Sequence, residues 1–465
     1  MITKYMCFPL TILLGAGLAI LLVFGIGIYA QAAPNSELHV CSSECTYASI
    51  QAAVDAAQNG DVIKVAQGIY TDMHHIPSMD TETFTATQMV AITKTINLLG
   101  GYTSSDWEIA DPETNPTILD ADGQGRVMYI DGSISPQIKR FRMTGGDSIG
   151  LGGMFWGDVG GAVYIRGGSP ILSHNRIYSN TATYYGGGLY LLSTGATVSE
   201  NVITDNTTQH RGGGVCIDNS NIALLDNTFR DNHTGTEGGG VCTYWNQSEI
   251  VGNIFEDNTS DLYGGGLYIY GEGGILEQNL FVNNNAMRGG GIYLQYEWGN
   301  VPTFANTALV GNLATQGSGF WAASDDETPD PNPIRARHTT LYDNRGGGEG
   351  IFLTDNATLA MTNTIFVSHT LGLSVTNIST ATLNATLWYS NSTDWSGNVL
   401  HANDHAGNPV FLDDGFHISP VSAARELGVA DGISNDIDGG TRPQGAGYDI
   451  GADEFMGIFL PMLMK

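Results

Sequence analysis

The residues of this sequence that are best suited to chemistry include two acidic pairs. "DADG" contains Asp120 and Asp122, and "DIDG" contains Asp436 and Asp438, so each motif places two carboxylates two residues apart beside a glycine. Both carboxylates can point into one turn as hard oxygen ligands, which makes calcium the one cofactor that the sequence suggests. Neither pair continues into a complete calcium-binding loop. Asx turns, in which a carboxylate accepts hydrogen bonds from nearby backbone, explain both motifs equally well.

A mixture of acids and bases surrounds the insertion "SDDETPDPNP". Asp325 and Asp326 lie inside the insertion, and Arg335 and Arg337 follow it. An enzyme that cleaves a polysaccharide needs its acids and bases held across the scissile bond, and acids in a loop are not held in that way. Solvated loop charge is therefore the favoured interpretation. These four residues form the site of an alternative, enzymatic hypothesis.

A column of mostly aromatic residues recurs four positions after the start of each glycine cluster. Its members are Tyr164, Tyr190, Cys216, Cys242, Tyr268, Tyr293, Trp321 and Phe352. Alternation along each strand predicts that the column faces outward, as a stripe on which sugar rings can lie. Stacked rings that stabilise a sheet face explain the column equally well. The residues predicted to bind carbohydrate are Tyr164, Tyr190, Tyr268, Tyr293, Trp298 and Trp321.

The elements that carry these residues belong to an internal repeat. Glycine-led strands such as "GGGLYL" and "GGGVCI" begin at positions 160, 186, 212, 238, 264 and 289, so successive starts differ by 26, 26, 26, 26 and 25. A second apolar element follows in each repeat, and neither element can bury its apolar face alone. Stacked coils bury these faces together, which predicts a parallel solenoid with one repeat per turn.

Two columns of asparagine recur with the same period. One occupies positions 175, 201, 227, 253 and 279, and the other positions 180, 206, 232, 258 and 284. Identical amides stacked about 4.8 Å apart can donate and accept hydrogen bonds along the stack. The columns therefore predict structural amide ladders at the bends of the solenoid.

A solenoid end exposes strand edges and needs a cap. "SIQAAVDAAQNG" predicts a capping helix with Ser49 as its N-cap and Ile50, Ala53 and Val54 on its buried face, and "DVIKVAQGIY" predicts the first strand. The spacing of Cys41 and Cys45 predicts a disulfide in an oxidising compartment. Cys216 and Cys242 fall on adjacent coils, either as a strained bridge or as stacked thiols.

Composition and the chain ends indicate where the protein works. Acids outnumber bases by 47 to 18, for a net charge of −29, which argues against binding to nucleic acid or anionic lipid. Residues 1–33 carry a long apolar run and an A-x-A cleavage signature, so they read as a signal peptide, with an uncleaved anchor as the alternative. The protein is thus predicted to be secreted or attached to a cell surface. Contact with a membrane is expected only through this segment or through the apolar tail at 456–465.

The opening segment "IQAAVDAAQNGDVIKVAQGIY", with "INLLGGY" and "NPTILDADGQGRVMYI", resembles secreted bacterial proteins of the right-handed parallel β-helix, or pectin-lyase-like, class. The paired GG[AGS][ILVF] and FxxN motifs resemble the repeats of polymorphic outer membrane proteins. The ending "DIDGGTRPQGAGYDIGADEF" is similar to the closing segment of many β-helix proteins. Two departures stand out: no membrane-barrel sequence follows Phe455, and "SPVSAARELG" lacks the aspartate usual in that segment.

The resemblance implies an all-β fold, a right-handed parallel β-helix solenoid with a short N-terminal capping helix. The domain organisation predicted for it begins with a signal peptide at 1–33 and an N-terminal cap with the first coils at 34–125. Solenoid repeats of about 26 residues each follow at 126–400, one repeat per turn. A C-terminal cap at 401–455 and a short apolar tail at 456–465 complete the chain.

Three functions are compatible with such a chain. The first is a monomeric, non-catalytic protein outside the cell that binds a polysaccharide or a cell-surface glycan through its outer face. The second is a polysaccharide lyase or glycoside hydrolase of the pectin-lyase-like class, although motifs such as N-T-D and G-H-G are absent from the sequence. The third is a structural spacer. Acids and bases clustered in one groove would favour the enzyme, an open aromatic stripe the binder and a covered stripe the spacer.

Overall fold

The computed structural model of the protein describes residues 35–77, 85–151, 158–271, 273–297, 301–325, 332–347 and 349–456. Several predictions fall outside these ranges, namely the signal peptide, Trp298, Asp326 and all of the tail beyond Met456. Within the described part, the single helix has seven residues, and no helix there is long and apolar enough to cross a membrane.

The N-terminal part combines this helix with the first strands. The elements are β1 (Glu37–Val40), α1 (Ile50–Ala56), β2 (Val62–Ala66), β3 (Gly68–Tyr70), β4 (His74–Pro77), β5 (Thr85–Ile92), β6 (Asn97–Tyr102), β7 (Thr117–Asp120), β8 (Arg126–Asp131), β9 (Gln137–Lys139) and β10 (Phe141–Thr144). The predicted first strand is β2, but β1 precedes it and pairs with it in parallel. Four residues are too few for an alternating pattern to reveal β1.

Helix α1 begins and packs as predicted. The Ser49 hydroxyl accepts a hydrogen bond from the Ala52 N–H at 3.4 Å, while Ile50, Ala53 and Val54 are buried. At the other end, Lys94 donates hydrogen bonds to free carbonyls of the last turn. The helix contacts β1, β2 and β5, so it covers the apolar interior at the N-terminal end of the stack.

The regular coils contain three or four short strands each, where the sequence indicated two. Their strands are β11 (Val163–Arg166), β12 (Ile171–Ser173), β13 (Arg176–Tyr178), β14 (Thr181–Ala182), β15 (Leu189–Leu192), β16 (Thr197–Ser199), β17 (Val202–Thr204), β18 (Thr207–Thr208), β19 (Val215–Asp218), β20 (Ala223–Leu225), β21 (Thr228–Arg230), β22 (His233–Thr234), β23 (Val241–Tyr244), β24 (Glu249–Val251), β25 (Ile254–Glu256), β26 (Thr259–Ser260), β27 (Leu267–Gly271), β28 (Ile275–Glu277), β29 (Leu280–Val282) and β30 (Ile292–Tyr296). Two-residue and three-residue strands leave little periodic signal, which is why half of them were missed.

The later coils have longer strands. These are β31 (Thr303–Val310), β32 (Leu313–Ala314), β33 (Phe320–Ser324), β34 (Ile334–Tyr342), β35 (Arg345–Gly346), β36 (Glu349–Thr354), β37 (Thr358–Val367), β38 (Leu371–Val375), β39 (Thr380–Tyr389), β40 (Thr393–Ser396), β41 (Val399–Ala402) and β42 (His405–Ala406). Four of these strands, β31, β34, β37 and β39, are long, and each of them joins into one strand what are two short strands in the earlier coils. Residues with positive φ, such as Asn306 and Asn363, mark the bend between the two halves.

The strands assemble into a right-handed parallel β-helix. A sheet of 23 strands, called sheet 1, includes β12, β13 and their equivalents, and a sheet of 13 strands, sheet 2, includes β11 and its equivalents. In sheet 2 only β4 is antiparallel to its neighbour, which leaves twelve parallel strands, one per coil. Strands one repeat apart lie in register, as in Leu189↔Val215 and Phe229↔Phe255. The predicted all-β class and solenoid are therefore confirmed.

The interior of the stack is a continuous apolar core. The second apolar element of each repeat points inward, so that Phe229, Phe255 and Phe281 are fully buried. Their rings stack on successive coils with centroids 5.0 and 4.5 Å apart. Because each coil buries its apolar face only against the coils above and below, stability comes from the stacking of coils rather than from any coil alone.

Two ladders of buried asparagine side chains hold the bends, as predicted. Asn258 is typical: its Oδ1 accepts hydrogen bonds from the backbone N–H of Asn232 at 3.1 Å and from Asn232 Nδ2 at 3.0 Å. This ladder extends beyond the regular repeats to Asn344, which contacts His369 on the next coil at 3.3 Å. The residue before each ladder position, for example Asp257 with φ 53°, adopts the left-handed conformation that turns the chain.

The C-terminal segment lies along the side of the stack as well as at its end. Strands β41 and β42 pair with β39 and end sheet 1. Residues 408–455, called the strap, then run back over the outer face of sheet 1. There, Gln278 Nε2 donates a hydrogen bond to the carbonyl of Asp436 at 2.8 Å, and Asn363 Nδ2 donates one to the carbonyl of Val429 at 2.8 Å. The strap covers outward apolar residues such as Ile365, and the C-terminal cap predicted at 401–455 stays a prediction.

Candidate functional site

The outer face of sheet 2 carries the predicted aromatic column. Register pairs Tyr164 with Tyr190, Tyr268 with Tyr293 and Tyr293 with Trp321 on successive strands. These side chains form an apolar cluster separate from the interior core. The prediction that the column points outward is therefore correct.

The expectation that this column is exposed is wrong. The side chains of Tyr164, Tyr190, Tyr268, Tyr293 and Trp321 are only 3–6% exposed. Neighbouring rings lie 4.2–5.3 Å apart along the column, so each ring covers the faces of the next. A flanking column on the turns before each glycine cluster, Tyr185, Arg211, Glu237, Tyr263 and Arg288, covers their edges. That the column binds sugar stays a prediction.

The flanking column also neutralises charge on this face. Arg211 forms an ion pair with Glu237 at 2.6 Å and lies over the Tyr244 ring, 4.4 Å from its centroid. Tyr244 donates a hydrogen bond from its hydroxyl to Glu237 at 2.5 Å. Burial raises the pKa of Tyr244 well above its ordinary value, with the nearby Cys242 and Glu237 adding to the effect. These polar groups are partnered within the protein, so these coils offer little to a ligand.

One groove opens on this face, beside Trp321. A second outward column runs next to the aromatic one, and register aligns Tyr270, Gln295 and Ala323 within it. Where the earlier coils have a bulky side chain, Ala323 has a methyl group, and a groove of about 810 Å³ lies over it. Its lining is Arg288, Tyr293, Gln295, Trp321, Ala323, Ser324, Asp325, Asp355, Asn356, Asn377 and Ile378.

The groove combines aromatic rings with polar groups of several kinds. Tyr293 and Trp321 stack with centroids 4.2 Å apart and planes 6° apart, and the Arg288 guanidinium lies 5.8 Å from the Trp321 ring. Gln295 Nε2 donates a hydrogen bond to Asp325 at 2.5 Å. Within the described residues, the indole N–H of Trp321 is buried and has no hydrogen-bond partner. The site thus offers apolar surface, amides and carboxylates.

Turns that follow the sheet 2 strands position the polar side of the groove. Asp355 and Asn377 occupy corresponding turns on successive coils, and Asn377 Nδ2 donates a hydrogen bond to Asp355 Oδ1 at 2.7 Å. Beside them, burial raises the pKa of Tyr270, and the nearby Asp325 adds to the effect. Sequence analysis missed Arg288, Gln295, Asp355 and Asn377 as lining residues. The available signal was the small residue at 323 in an otherwise bulky column.

The predicted enzyme residues do not share one site. Asp325 lies in the groove on sheet 2, whereas Arg335 and Arg337 belong to β34 in sheet 1. Arg337 faces the strap, where its Nη1 donates a hydrogen bond to the carbonyl of Asp431 at 3.3 Å. The four-residue grouping is therefore wrong for its three described members, because residues close in sequence lie on different sheets of one coil. Asp326 lies outside the described residues.

The two predicted calcium motifs form Asx turns. Asp120 Oδ1 accepts a hydrogen bond from the Asp122 N–H at 3.0 Å. Asp436 Oδ1 accepts hydrogen bonds from the N–H groups of Asp438 at 3.0 Å and Gly440 at 2.6 Å. Burial raises the pKa of Asp436, against the effect of these hydrogen bonds. This is the alternative given above for both motifs, and calcium stays a prediction.

A cluster that sequence analysis missed lies in the strap beside Asp438. The His417 ring contacts Asp414 Oδ2 through Nδ1 and Asp438 Oδ2 through Nε2, each at 2.6 Å. Asp453 lies within 4.8 Å of His417 and Asp438 through their ligand atoms. Burial disfavours the charged form of His417, but hydrogen bonds to Asp414 and Asp438 outweigh it and raise the pKa to about 10. Burial raises the pKa of Asp453 to about 7.

The four cysteines among the described residues form two close pairs. Cys41 and Cys45 are joined by a disulfide of 2.03 Å, the pairing that their spacing predicts. Cys216 and Cys242 are buried free thiols on adjacent strands, with sulfur atoms 2.7 Å apart. The structure thus has them as stacked thiols, one of the two arrangements that sequence allowed.

Part of the chain matches the model of a known family. Residues 161–328 match the family model of the right-handed beta helix region. No curated protein matches the chain. Among solved structures, a crystal structure of pectate lyase Pel9A aligns with 91% of this chain and 97% of its own, at 12% identity and a TM-score of 0.44.

Proposed function

We propose that the protein binds a polysaccharide in the groove over Ala323 without cleaving it. The observation that supports this most directly is the lining itself. Two stacked rings, Tyr293 and Trp321, border a groove of about 810 Å³ whose other side carries amide and carboxylate groups. Sugars are recognised by apolar contact with their C–H faces together with hydrogen bonds to their hydroxyls, and this lining supplies both kinds of contact.

The charges of the lining favour a neutral glycan. The lining contains two carboxylates, Asp325 and Asp355, and one cation, Arg288. The whole chain carries a net charge of −29. A polyuronic acid would be repelled by this field, whereas neutral hydroxyls can donate to carboxylates and amide oxygens.

Burial limits what the rings contribute. Since Trp321 is 4% exposed, a sugar would contact its edge rather than lie flat on its face. We therefore assign most of the binding free energy to the polar side, where the side chains of Gln295, Asp325 and Asn377 lie. The disulfide between Cys41 and Cys45 fits an oxidising compartment, which supports a place for this function outside the cell.

The test is a glycan array and affinity electrophoresis against neutral and acidic polysaccharides, with Ala323→Trp as the decisive variant. Tryptophan at 323 fills the groove from its floor, so binding should fall by at least tenfold. Leu192→Trp is the matched control, because position 192 lies in the same outward column on a regular coil away from the groove. Equal binding by wild type and Ala323→Trp would refute the groove as the site.

A second candidate is polysaccharide cleavage at the same groove. The observation that favours it is the joint presence of Asp325, Asp355 and Arg288 in one lining. New reducing ends, or unsaturated ends, released by wild type and lost in Asp325→Asn would establish cleavage and overturn the non-catalytic proposal. If the protein neither binds nor cleaves any polymer, the structural spacer is favoured. The covered rings of the regular coils also fit a spacer.

A further inference from the structure

We propose that His417, Asp438 and Asp453 bind one divalent transition-metal ion that joins three segments of the strap. Each residue offers one ligand atom, and these atoms lie within 4.8 Å of one another. A bound Zn²⁺ holds imidazole nitrogen and carboxylate oxygen at about 2.0–2.2 Å, which side-chain shifts on the order of 1 Å would reach here. The site is on sheet 1, remote in the fold from the proposed glycan groove on sheet 2.

The histidine is oriented in the way that a metal ligand requires. Asp414 Oδ2 contacts the Nδ1 atom of His417 at 2.6 Å and accepts its proton in a hydrogen bond. A carboxylate that holds one ring nitrogen in this way fixes the tautomer and leaves the other nitrogen for the metal. That other nitrogen, Nε2, lies 2.6 Å from Asp438 Oδ2, and a bound metal would replace the proton between these two atoms. Asp414 is itself held by the N–H groups of Phe416 and His417 at 3.1 and 3.0 Å.

Asp453 supplies the second, independent observation. Its side chain is in the buried class, with only 7% exposure, and one oxygen, Oδ2, accepts a hydrogen bond from the Ile418 N–H at 2.7 Å. A buried carboxylate is costly unless it is paired or coordinates a metal. A cation between Asp453 and Asp438 would balance the charge of both carboxylates.

The ligand set indicates which metal binds. Calcium takes six to eight oxygen ligands, whereas this site offers a nitrogen and two carboxylate oxygens. Imidazole with carboxylates suits Zn²⁺ better, with water in the remaining position. Asp436 is not part of this group of ligand atoms. Its Oδ1 accepts hydrogen bonds from the Asp438 and Gly440 amides, which hold the turn that presents Asp438.

Metal binding would link three segments of the strap. Asp414 and His417 belong to one turn, Asp438 to a second, and Asp453 to the segment whose Ala452 N–H donates a hydrogen bond to Thr340 Oγ1 at 3.0 Å. A ligand that binds only the folded strap stabilises it by mass action. Hydrogen exchange at the Ile418 and Ala452 amides should therefore slow when the metal is added.

The experiment is calorimetric titration of the metal-stripped full chain with Zn²⁺, and in parallel with Ca²⁺. The variants are His417→Gln, Asp453→Asn and Asp414→Asn, and the matched control is Asp413→Asn, an exposed neighbour outside the cluster. Asparagine at 453 keeps an oxygen that can accept the Ile418 N–H, so the fold should persist, as circular dichroism would verify. Wild type should bind about one equivalent of Zn²⁺. The two ligand variants should lose at least tenfold in affinity, and Asp414→Asn about 10–100-fold, the range measured for such orienting carboxylates.

Three results would overturn the proposal. The first is the absence of stoichiometric Zn²⁺ binding by wild type, or preference for Ca²⁺. The second is binding that persists unchanged in His417→Gln and Asp414→Asn, which would place the metal elsewhere on this acidic surface. The third is a loss in Asp413→Asn equal to that in the ligand variants, which would show nonspecific attraction by charge.

Discussion

Replacing Asn258 by alanine tests how the ladders hold the stack together. The Asn258 side chain is fully buried and makes four hydrogen bonds. Its Nδ2 donates to the carbonyl of Phe229 at 2.9 Å and to Asn284 Oδ1 at 3.0 Å. Its Oδ1 accepts from the backbone N–H and the Nδ2 of Asn232 at 3.1 and 3.0 Å. The change therefore affects three successive coils.

The cost follows from the groups that lose their partners. Asn284 Oδ1 keeps one donor, the backbone N–H of Asn258 at 3.1 Å, so it remains satisfied. The Asn232 N–H and one Asn232 Nδ2 hydrogen are left buried and unpaired, and the Phe229 carbonyl loses the donor that Asn258 supplies. Each unpaired group costs about 1–3 kcal/mol, which gives about 2–4 kcal/mol after allowance for partial relaxation. That is a large part of the roughly 5–15 kcal/mol that typically separates folded from unfolded domains.

The assay is urea unfolding followed by circular dichroism, together with hydrogen exchange at the Asn232 amide. Asn221→Ala is the matched control, since that side chain is exposed and accepts a single hydrogen bond, from the Gln247 N–H at 3.0 Å. We expect the control to cost less than about 1 kcal/mol. If both variants lose the same stability, or if Asn232 exchange is unchanged in Asn258→Ala, the ladder does not stabilise the stack as argued.

Two further predictions concern single positions. Gly238 and Gly123 both have φ 69°, but a Cβ at Gly238 would lie 2.4 Å from the Val241 carbonyl oxygen, while one at Gly123 meets nothing within 4 Å. Alanine at 123 should cost about 1 kcal/mol through backbone strain alone, and alanine at 238 several times more; equal melting temperatures would refute the crowding argument. His369 follows Asn344 in the ladder that contains Asn258 and stands where an asparagine would be expected. Burial lowers the pKa of His369 to about 4, although a hydrogen bond to Asn391 opposes this. Since the folded-state pKa is depressed, its neutral form stabilises the protein above about pH 6.5, and about 3 kcal/mol is lost as pH falls towards 4. Urea midpoints measured between pH 7 and 4 should fall less in His369→Asn than in wild type, and parallel curves would contradict the assignment.

The sequence predicted those features of the fold that repeat. The constant period of the regular coils reveals the register, the direction of each side chain and the Asn ladders, because all of these recur on every coil. It did not reveal what lies over an outward side chain. Tyr268 faces outward as predicted, yet it is buried because rings on the next coils and the flanking column cover it. Packing between columns depends on side-chain size at positions that alternation alone treats as equivalent.

The candidate sites were harder to predict, because both are assembled from segments distant in the chain. Asp355 and Asn377 reach the groove from turns on later coils, and His417 meets Asp453 only because the strap folds back on itself. Closeness in sequence was misleading for Asp325 and Arg337. In a solenoid, residues half a repeat apart can lie on different faces, while residues a whole repeat apart are neighbours.

Function should therefore be found where the repeat is broken. In the regular coils, stacked rings and internal ion pairs cover the outer face of sheet 2, and one coil resembles the next. The groove lies where the spacing of the glycine-led starts widens, at positions 289, 317 and 348. The longer turns of these coils bring polar side chains around the small Ala323.

A regular coil should therefore be dispensable for binding. Deleting residues 212–237 removes one whole repeat and joins Arg211 to Gly238, which keeps both Asn ladders in register, with Asn206 against Asn258. The shortened protein should fold as a rod about 4.8 Å shorter and bind its glycan as wild type does. Circular dichroism and affinity electrophoresis measure both outcomes. A deletion variant that folds but no longer binds would mean that the regular coils carry part of the site, contrary to the groove assignment.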